Sequence, residues 1–251
     1  MKTYPLVSAL LYVRDRLDSA ILCDVAVRSF LSQTWPNREL VIAHLGDYVV
    51  NREAHDNIRE IRIDQGSLGA IRQRLLYEAR GDIVMRWDDD AISMPERMRV
   101  QVEPIAAGSV EATLLGCHIR YSLARNTSLV GWNVKMPGIS TTICHRRDAK
   151  YSYQDTEQQA EEQFRALFKK PMVIQGDRLH ILIHSGVDTP YDYLIMQDLV
   201  HKRNIWRMDT SHDRLLLQAL EAYFAVEISP RGHTRVSPYI LPKDKIGQRI
   251  F

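Results

Sequence analysis

Ile83-Val84-Met85-Arg86-Trp87-Asp88-Asp89-Asp90 is a short run, mostly apolar, that ends in three consecutive carboxylates. A run of this length without helical periodicity reads as a buried strand, and the abrupt change to charge marks where the chain leaves the core. Upstream, residues 69–80 carry Ile71, Leu75 and Ala79 at helical spacing and stop at Gly81, a residue type suited to the position after a helix. Further back, Ile61-Arg62-Ile63 reads as a short strand and Glu39-Leu40-Val41-Ile42-Ala43-His44 as a buried one. A helix with Ile21, Leu22, Val25, Phe30 and Leu31 on one face precedes them, after a first strand at 6–13. Strand and helix thus alternate over the first 90 residues. That pattern predicts an α/β fold with a mostly parallel central sheet flanked by helices, in which ligands bind beyond the carboxyl ends of the strands.

Downstream of the carboxylates, Ser93-Met94-Pro95-Glu96 has the spacing of a capping box and predicts a new helix. Strands are expected over 112–121, 141–145 and 178–184. Helices are expected over 155–168, 191–202 and 213–225, followed by an irregular tail at 226–251. The sequence holds no internal repeat, low-complexity segment or clear linker, so residues 1–251 are read as one domain.

The chain has 251 residues, 45% of them hydrophobic and 25% charged, which excludes a disordered or collagenous protein. Its formal charge is only +2, so bulk charge does not mark a polyanion-coating protein. Cys23, Cys117 and Cys144 lie far apart without metal-ligand spacing, which argues against a disulfide framework or zinc knuckle. No apolar stretch approaches a membrane span and the N-terminus lacks a secretory pattern, so a cytoplasmic location is expected.

Three carboxylates at the end of a buried strand repel one another and lose solvation, a costly arrangement unless a cation or several donors offset it. Hard divalent ions such as Mg²⁺ and Mn²⁺ take one or two carboxylates together with phosphate oxygens and water. An Asp-x-Asp pair here therefore suits an ion bound with a diphosphate.

These residues resemble the GT-A glycosyltransferases of the family 2 type. Val7-Ser8-Ala9-Leu10-Leu11-Tyr12-Val13-Arg14-Asp15-Arg16 is similar to the family's first strand, and Ser32-Gln33-Thr34-Trp35-Pro36-Asn37-Arg38-Glu39 to its next motif. Leu68-Gly69-Ala70-Ile71-Arg72, Ala79-Arg80-Gly81-Asp82 and Asp88-Asp89-Asp90 with Pro95-Glu96-Arg97 follow in the family's order and spacing. Glu161-Glu162 resembles its Glu-Asp pair, and His184-Ser185-Gly186-Val187-Asp188-Thr189 its late strand end.

The resemblance implies a single Rossmann-like GT-A domain. Residues 1–100 would bind a nucleotide-sugar and residues 101–225 a hydroxyl-bearing acceptor, which could be a glycan, a lipid-linked sugar, a protein or modified DNA. It implies Asp15, Asp47, Arg72, Asp88 and Asp89 at the nucleotide-sugar, Mn²⁺ or Mg²⁺ on Asp90, Asp88 and His184, and Glu162 or Glu161 as general base in an inverting transfer. Two departures stand out. His44-Leu45 replaces the acidic pair that commonly reads uracil, and Tyr12-Val13-Arg14 replaces the family's Pro-Thr-Tyr, so weaker discrimination for uridine is expected. Competing readings are a nucleotidyltransferase on the same fold, against which the glycine-free turn after the first strand speaks, and a catalytically lapsed nucleic-acid or scaffold-binding protein. The altered Tyr12, His44 and Leu45 would suit the latter and the intact Asp88 to Asp90 speaks against it, while the five basic residues of the tail could meet a polyanionic acceptor or wrap the domain surface.

Overall fold

The computed structural model describes residues 4–14, 19–45, 55–116, 118–122, 127–131, 142–157, 159–174, 180–184, 205–208, 226–228 and 234–236. Strands between residues 118 and 131 and beyond residue 180 are described by their backbone alone. The chain runs β1 (Val7–Val13), α1 (Ser19–Leu31), β2 (Arg38–Leu45), β3 (Ile58–Ile63), α2 (Leu68–Glu78), β4 (Ile83–Asp88), β5 (Ala91–Ser93) and α3 (Arg97–Ala106). There follow β6 (Ala112–Leu115), β7 (His118–Ser122), β8 (Thr127–Gly131), β9 (Cys144–Arg146), α4 (Ala160–Ala166), β10 (Met172–Ile174), β11 (His180–His184), β12 (Ile205–Met208), β13 (Val226–Ile228) and β14 (Thr234–Val236).

A seven-stranded sheet in the order β10-β6-β9-β4-β1-β2-β3 forms the centre, with only β9 antiparallel to its neighbours. The mostly parallel α/β sheet expected from the sequence is therefore present. Parallel strands joined through helices must be covered on both faces, and the alternation along each strand does this. Val7, Ala9 and Leu11 of β1 pack with Ile83, Met85 and Trp87 of β4 under α1 and α3, while Leu10 and Val84 face α2 and α4. Trp87 is fully buried, edge-on to Phe30 at 6.1 Å, and its Nε1 donates to the Ala26 carbonyl at 3.0 Å. A second sheet, β12-β8-β7-β11-β5, takes up β5 directly after the three carboxylates.

Several boundaries differ from the sequence reading. Ser93 lies in β5, and α3 starts at Arg97 with Glu96 as a cap whose side chain makes no capping bond, so the capping box does not form. Ser93 Oγ instead accepts from Arg97 Nη1 at 2.7 Å. The expected strand 112–121 is two strands, because β6 belongs to the central sheet and β7 to the second one, with Gly116 between them bonded to Ile174. Gly81 does not cap α2. The helix ends at Ala79 in extended backbone, and a Cβ at Gly81 would lie 2.6 Å from the Leu6 carbonyl oxygen, so glycine is needed there for close approach to β1. The expected tail contains a small antiparallel pair, β13 with β14. The expected helices at 191–202 and 213–225 lie outside the described residues.

Helix α4 is shorter than expected because residues 154–156 fold as a loop against the start of α2. Gly69 N–H donates to the Thr156 carbonyl at 3.0 Å, and a Cβ at Gly69 would fall 1.7 Å from the Gln154 carbonyl oxygen. Ser67, whose Oγ caps α2 by accepting from Ala70 N–H at 3.1 Å, also bonds Asp155. The two helix starts are thereby fixed to each other.

Under α4, His145 packs among Tyr151, Phe164 and Phe168, with centroids 5.9, 5.2 and 5.0 Å away. Its Nδ1 lies 2.9 Å from the Arg146 carbonyl oxygen and donates its proton to it. Burial pushes its pKa down to about 4. An unfolded histidine takes up a proton near pH 6.5, so between these values the unfolded state binds more protons and stability falls as pH falls. Urea unfolding at pH 7.5 and pH 5 is expected to show a loss of about 2 kcal/mol from this group. His145→Phe should flatten that slope.

Candidate functional site

Strand β1 runs parallel to β4 with Tyr12 opposite Asp88, so the residues that leave the two strands, Arg14 and Asp89-Asp90, emerge side by side. To one side of β1 the chain continues to β2, and to the other lies β4. This reversal of strand order is where open α/β sheets leave a crevice at the strand ends.

Arg14 spans the turn. Its backbone N–H donates to Asp89 Oδ2 at 3.0 Å, and its Nε and Nη2 donate to Asp89 Oδ1 at 3.1 and 2.8 Å. Nη2 also bonds Asp90 Oδ2. The Asp89 side chain is 2% exposed and that of Asp90 14%, whereas that of Arg14 is 44% exposed. Burial alone lowers the guanidinium pKa, but Asp90 and Asp89 outweigh it and hold the group above its ordinary value.

On the α2 and α4 face of β4, Arg86 and Asp88 stand two residues apart and so point the same way. Arg86 Nε donates to Asp88 Oδ1 at 2.9 Å, and its Nη1 pairs with Glu161 Oε1. Arg72, from the first half of α2, donates through Nε to Glu161 Oε1 at 3.0 Å and places Nη2 3.8 Å from Asp88 Oδ1. Its guanidinium lies 5.8 Å from the Tyr12 ring centroid. Burial, and then repulsion from Arg72, lower the Arg86 pKa. Arg97, fully buried beneath the strand end, donates to Gln101, Ser93 and the Arg86 carbonyl, and burial lowers its pKa to about 10. Four guanidinium groups (Arg14, Arg72, Arg86, Arg97) thus surround four carboxylates (Asp88, Asp89, Asp90, Glu161).

Of the residues singled out from sequence, Arg72, Asp88 and Glu161 are brought into direct contact, and Asp89 and Asp90 are joined through Arg14. Glu161 is buried, while Glu162, the next residue of α4, is exposed. The backbone enters α4 through Gln159 in the left-handed region at φ 58°, which sets the helix phase that turns Glu161 inward. His44 is buried, with Nε2 3.8 Å from Glu60 Oε2. Asp15 and Asp47 lie outside the described residues, as does the side chain of His184, whose backbone ends β11.

The sequence reading missed Arg14 and Arg86. Arg86 carried a signal, since an arginine inside a strand covered on both faces demands a carboxylate. Among the described residues, no group of three or more His, Cys, Asp or Glu side chains is placed to hold a metal. The donor set nevertheless suits a hard cation. Asp89 and Asp90 already hold a positive guanidinium, and Mg²⁺ and Mn²⁺ need only one or two carboxylates beside phosphate and water.

Residues 24–139 match the family model described as Glycosyl transferase family 2. No curated protein matches the chain. Among solved structures, the Staphylococcus aureus TarS 1-349 crystal structure aligns at TM-score 0.51 and 13% identity, covering 90% of this chain and 76% of that one. The same TarS fragment in complex with UDP aligns at TM-score 0.50 and 14% identity, with 87% and 72% covered. The mannosyltransferase PcManGT from Pyrobaculum calidifontis, in complex with GDP-Man and Mn²⁺, aligns at TM-score 0.53 and 13% identity, with 80% and 63% covered. At such identities the structures speak for the fold. No helix among the described residues is long and apolar enough to cross a membrane. The match relates residues 24–139 to the glycosyltransferases of family 2, and the shared architecture shows a GT-A fold.

Proposed function

We propose that the protein moves a sugar from a nucleoside-diphosphate sugar to a hydroxyl acceptor, with inversion at the anomeric carbon and a divalent ion, Mn²⁺ or Mg²⁺, held at Asp90. The observation that carries this reading is the gathering of Arg14, Arg72, Asp88, Asp89, Asp90 and Glu161 at the carboxyl ends of β1 and β4, where this fold leaves its crevice. The PcManGT complex, with GDP-Man and Mn²⁺, supports the same assignment. When bound, the ion neutralises charge developing on the leaving diphosphate.

The chain's own residues divide the remaining work. Asp88 is pinned by Arg86 and Arg72, which suits a fixed contact to the donor's ribose or sugar. Asp90, more exposed than its neighbour, faces the ion. Glu162, exposed on the first turn of α4, takes the acceptor's proton as the new C1–O bond forms, and the acceptor enters from the side of residues 101–225. The base is not read by a carboxylate at the end of β2, since His44 stands there and turns toward Glu60. Asp15, Asp47 and His184 complete the donor and ion contacts in this reading.

A panel of nucleotide-sugars, assayed for nucleoside diphosphate release with Mn²⁺ and with EDTA, tests the proposal. One donor should turn over, at least about tenfold faster with the ion, and Asp90→Ala should abolish that gain. Equal rates in EDTA would remove the ion from the reading. Release from none of the donors would remove the transferase.

A further inference from the structure

We propose that Arg14 is an exchangeable counter-cation of the donor site. It occupies Asp90 in the donor-free protein and passes to the donor's diphosphate when a divalent ion takes that carboxylate. The inference rests on the reading of the site as one for a nucleoside-diphosphate sugar and a divalent ion, and it adds a residue and an order of events to that reading.

The geometry separates an anchor from a moving part. Asp89, almost fully buried, accepts the Arg14 backbone N–H on one oxygen and Nε and Nη2 on the other, so the start of the side chain is fixed to the turn after β4. The bond to Asp90 runs through Nη2, at the far end of a half-exposed guanidinium, to the more exposed of the two carboxylates. Nη2 is shared between the two carboxylates, so turning the end of the fork away from Asp90 also gives up its bond to Asp89 Oδ1, while the bonds from the backbone N–H and Nε keep the rest of the side chain in place.

Electrostatics makes the exchange obligatory. A guanidinium and a divalent cation on one carboxylate would lie about 4 Å apart and repel strongly at a partly buried site. The ion therefore reaches Asp90 only as Nη2 leaves it. A displaced guanidinium needs a new anion, and the one that arrives with the ion is the diphosphate, whose oxygens match the planar donor fork of arginine. Ion and diphosphate should consequently favour each other's binding, since each removes what opposes the other, and the linkage must be reciprocal.

The test measures Mn²⁺ binding by electron paramagnetic resonance, and UDP and GDP binding by calorimetry in EDTA, for wild type, Arg14→Ala, Arg14→Gln and Asp90→Ala, with thermal melts to verify folding. Arg14→Gln keeps a hydrogen-bond donor toward Asp89 and serves if Arg14→Ala does not fold. Removing a charge-assisted competitor should tighten Mn²⁺ binding without nucleotide by about tenfold or more. Diphosphate binding in EDTA should weaken, and the mutual enhancement between Mn²⁺ and nucleotide should shrink. If Arg14 only ties β1 to the turn after β4, Mn²⁺ affinity will stay equal or fall in both Arg14 variants while Asp90→Ala still abolishes it. That result overturns the exchange and leaves the ion site standing. Mn²⁺ binding that survives Asp90→Ala overturns the ion site and the exchange together.

Discussion

Replacing Arg86 by Met is expected to destabilise the protein by about 3–5 kcal/mol, the usual consequence of removing one partner from a buried ion-pair network. Arg86 lies beneath the sheet surface with its side chain 10% exposed, and it serves Asp88 and Glu161 at once. Without it Asp88 and Glu161 lose the cation they share most closely, and Arg72 Nη2 is 3.8 Å from Asp88. The remaining charges repel in a site from which water is largely excluded. For a chain of this size such a loss lowers the melting temperature by roughly 6–20 °C. Adding Glu161→Gln removes one of the stranded carboxylates, so the double variant should recover part of the loss, a coupling that a double-mutant cycle reads directly. Additive losses would mean that Arg86 and Glu161 do not act as a pair.

The same network explains what was legible in the sequence and what was not. Strands β1, β2 and β4 were readable because both faces of a central parallel strand are covered, which leaves a plain apolar run. The Ser32 to Glu39 block, which carried much of the family likeness, is structural. Gln33 Nε2 donates to the carbonyls of Ser29, Ser93 and Met94, and its Oε1 accepts from Met98 N–H at 2.9 Å, locking α1 to the segment after the three carboxylates. Trp35 and Asn37 hold the chain before β1 through the carbonyls of Pro5 and Tyr4. The motifs that resemble the family thus revealed the fold through residues that tie its elements together.

The arginines were harder to place. Arg14 reads as an ordinary turn residue beside Asp15, and only the register that sets Tyr12 opposite Asp88 shows that it emerges against Asp89 and Asp90. The capping-box reading of Ser93 failed for a related reason. A local pattern competed with pairing between β5 and β11, a partner nearly 90 residues away in sequence, and tertiary pairing won.

Glu162→Gln is expected to keep donor affinity and to lose about 10²-fold or more in transfer, the scale of general-base catalysis. Consecutive residues on a helix project about 100° apart, so Glu161 and Glu162 cannot share a direction. Glu161 is turned into the arginine pair of Arg72 and Arg86, where two cations hold its charge and its lone pairs are engaged. A carboxylate so committed is a poor proton acceptor. Glu162 lies exposed on the same first turn. The two variants separate in kind as well as size. In Glu162→Gln the transfer rate should fall while the melting temperature hardly moves. Glu161→Gln should lower the melting temperature and keep most of the transfer rate. The opposite pattern would put the base on Glu161, and a transfer rate retained in both would move the search to Asp188, four residues past His184 in sequence.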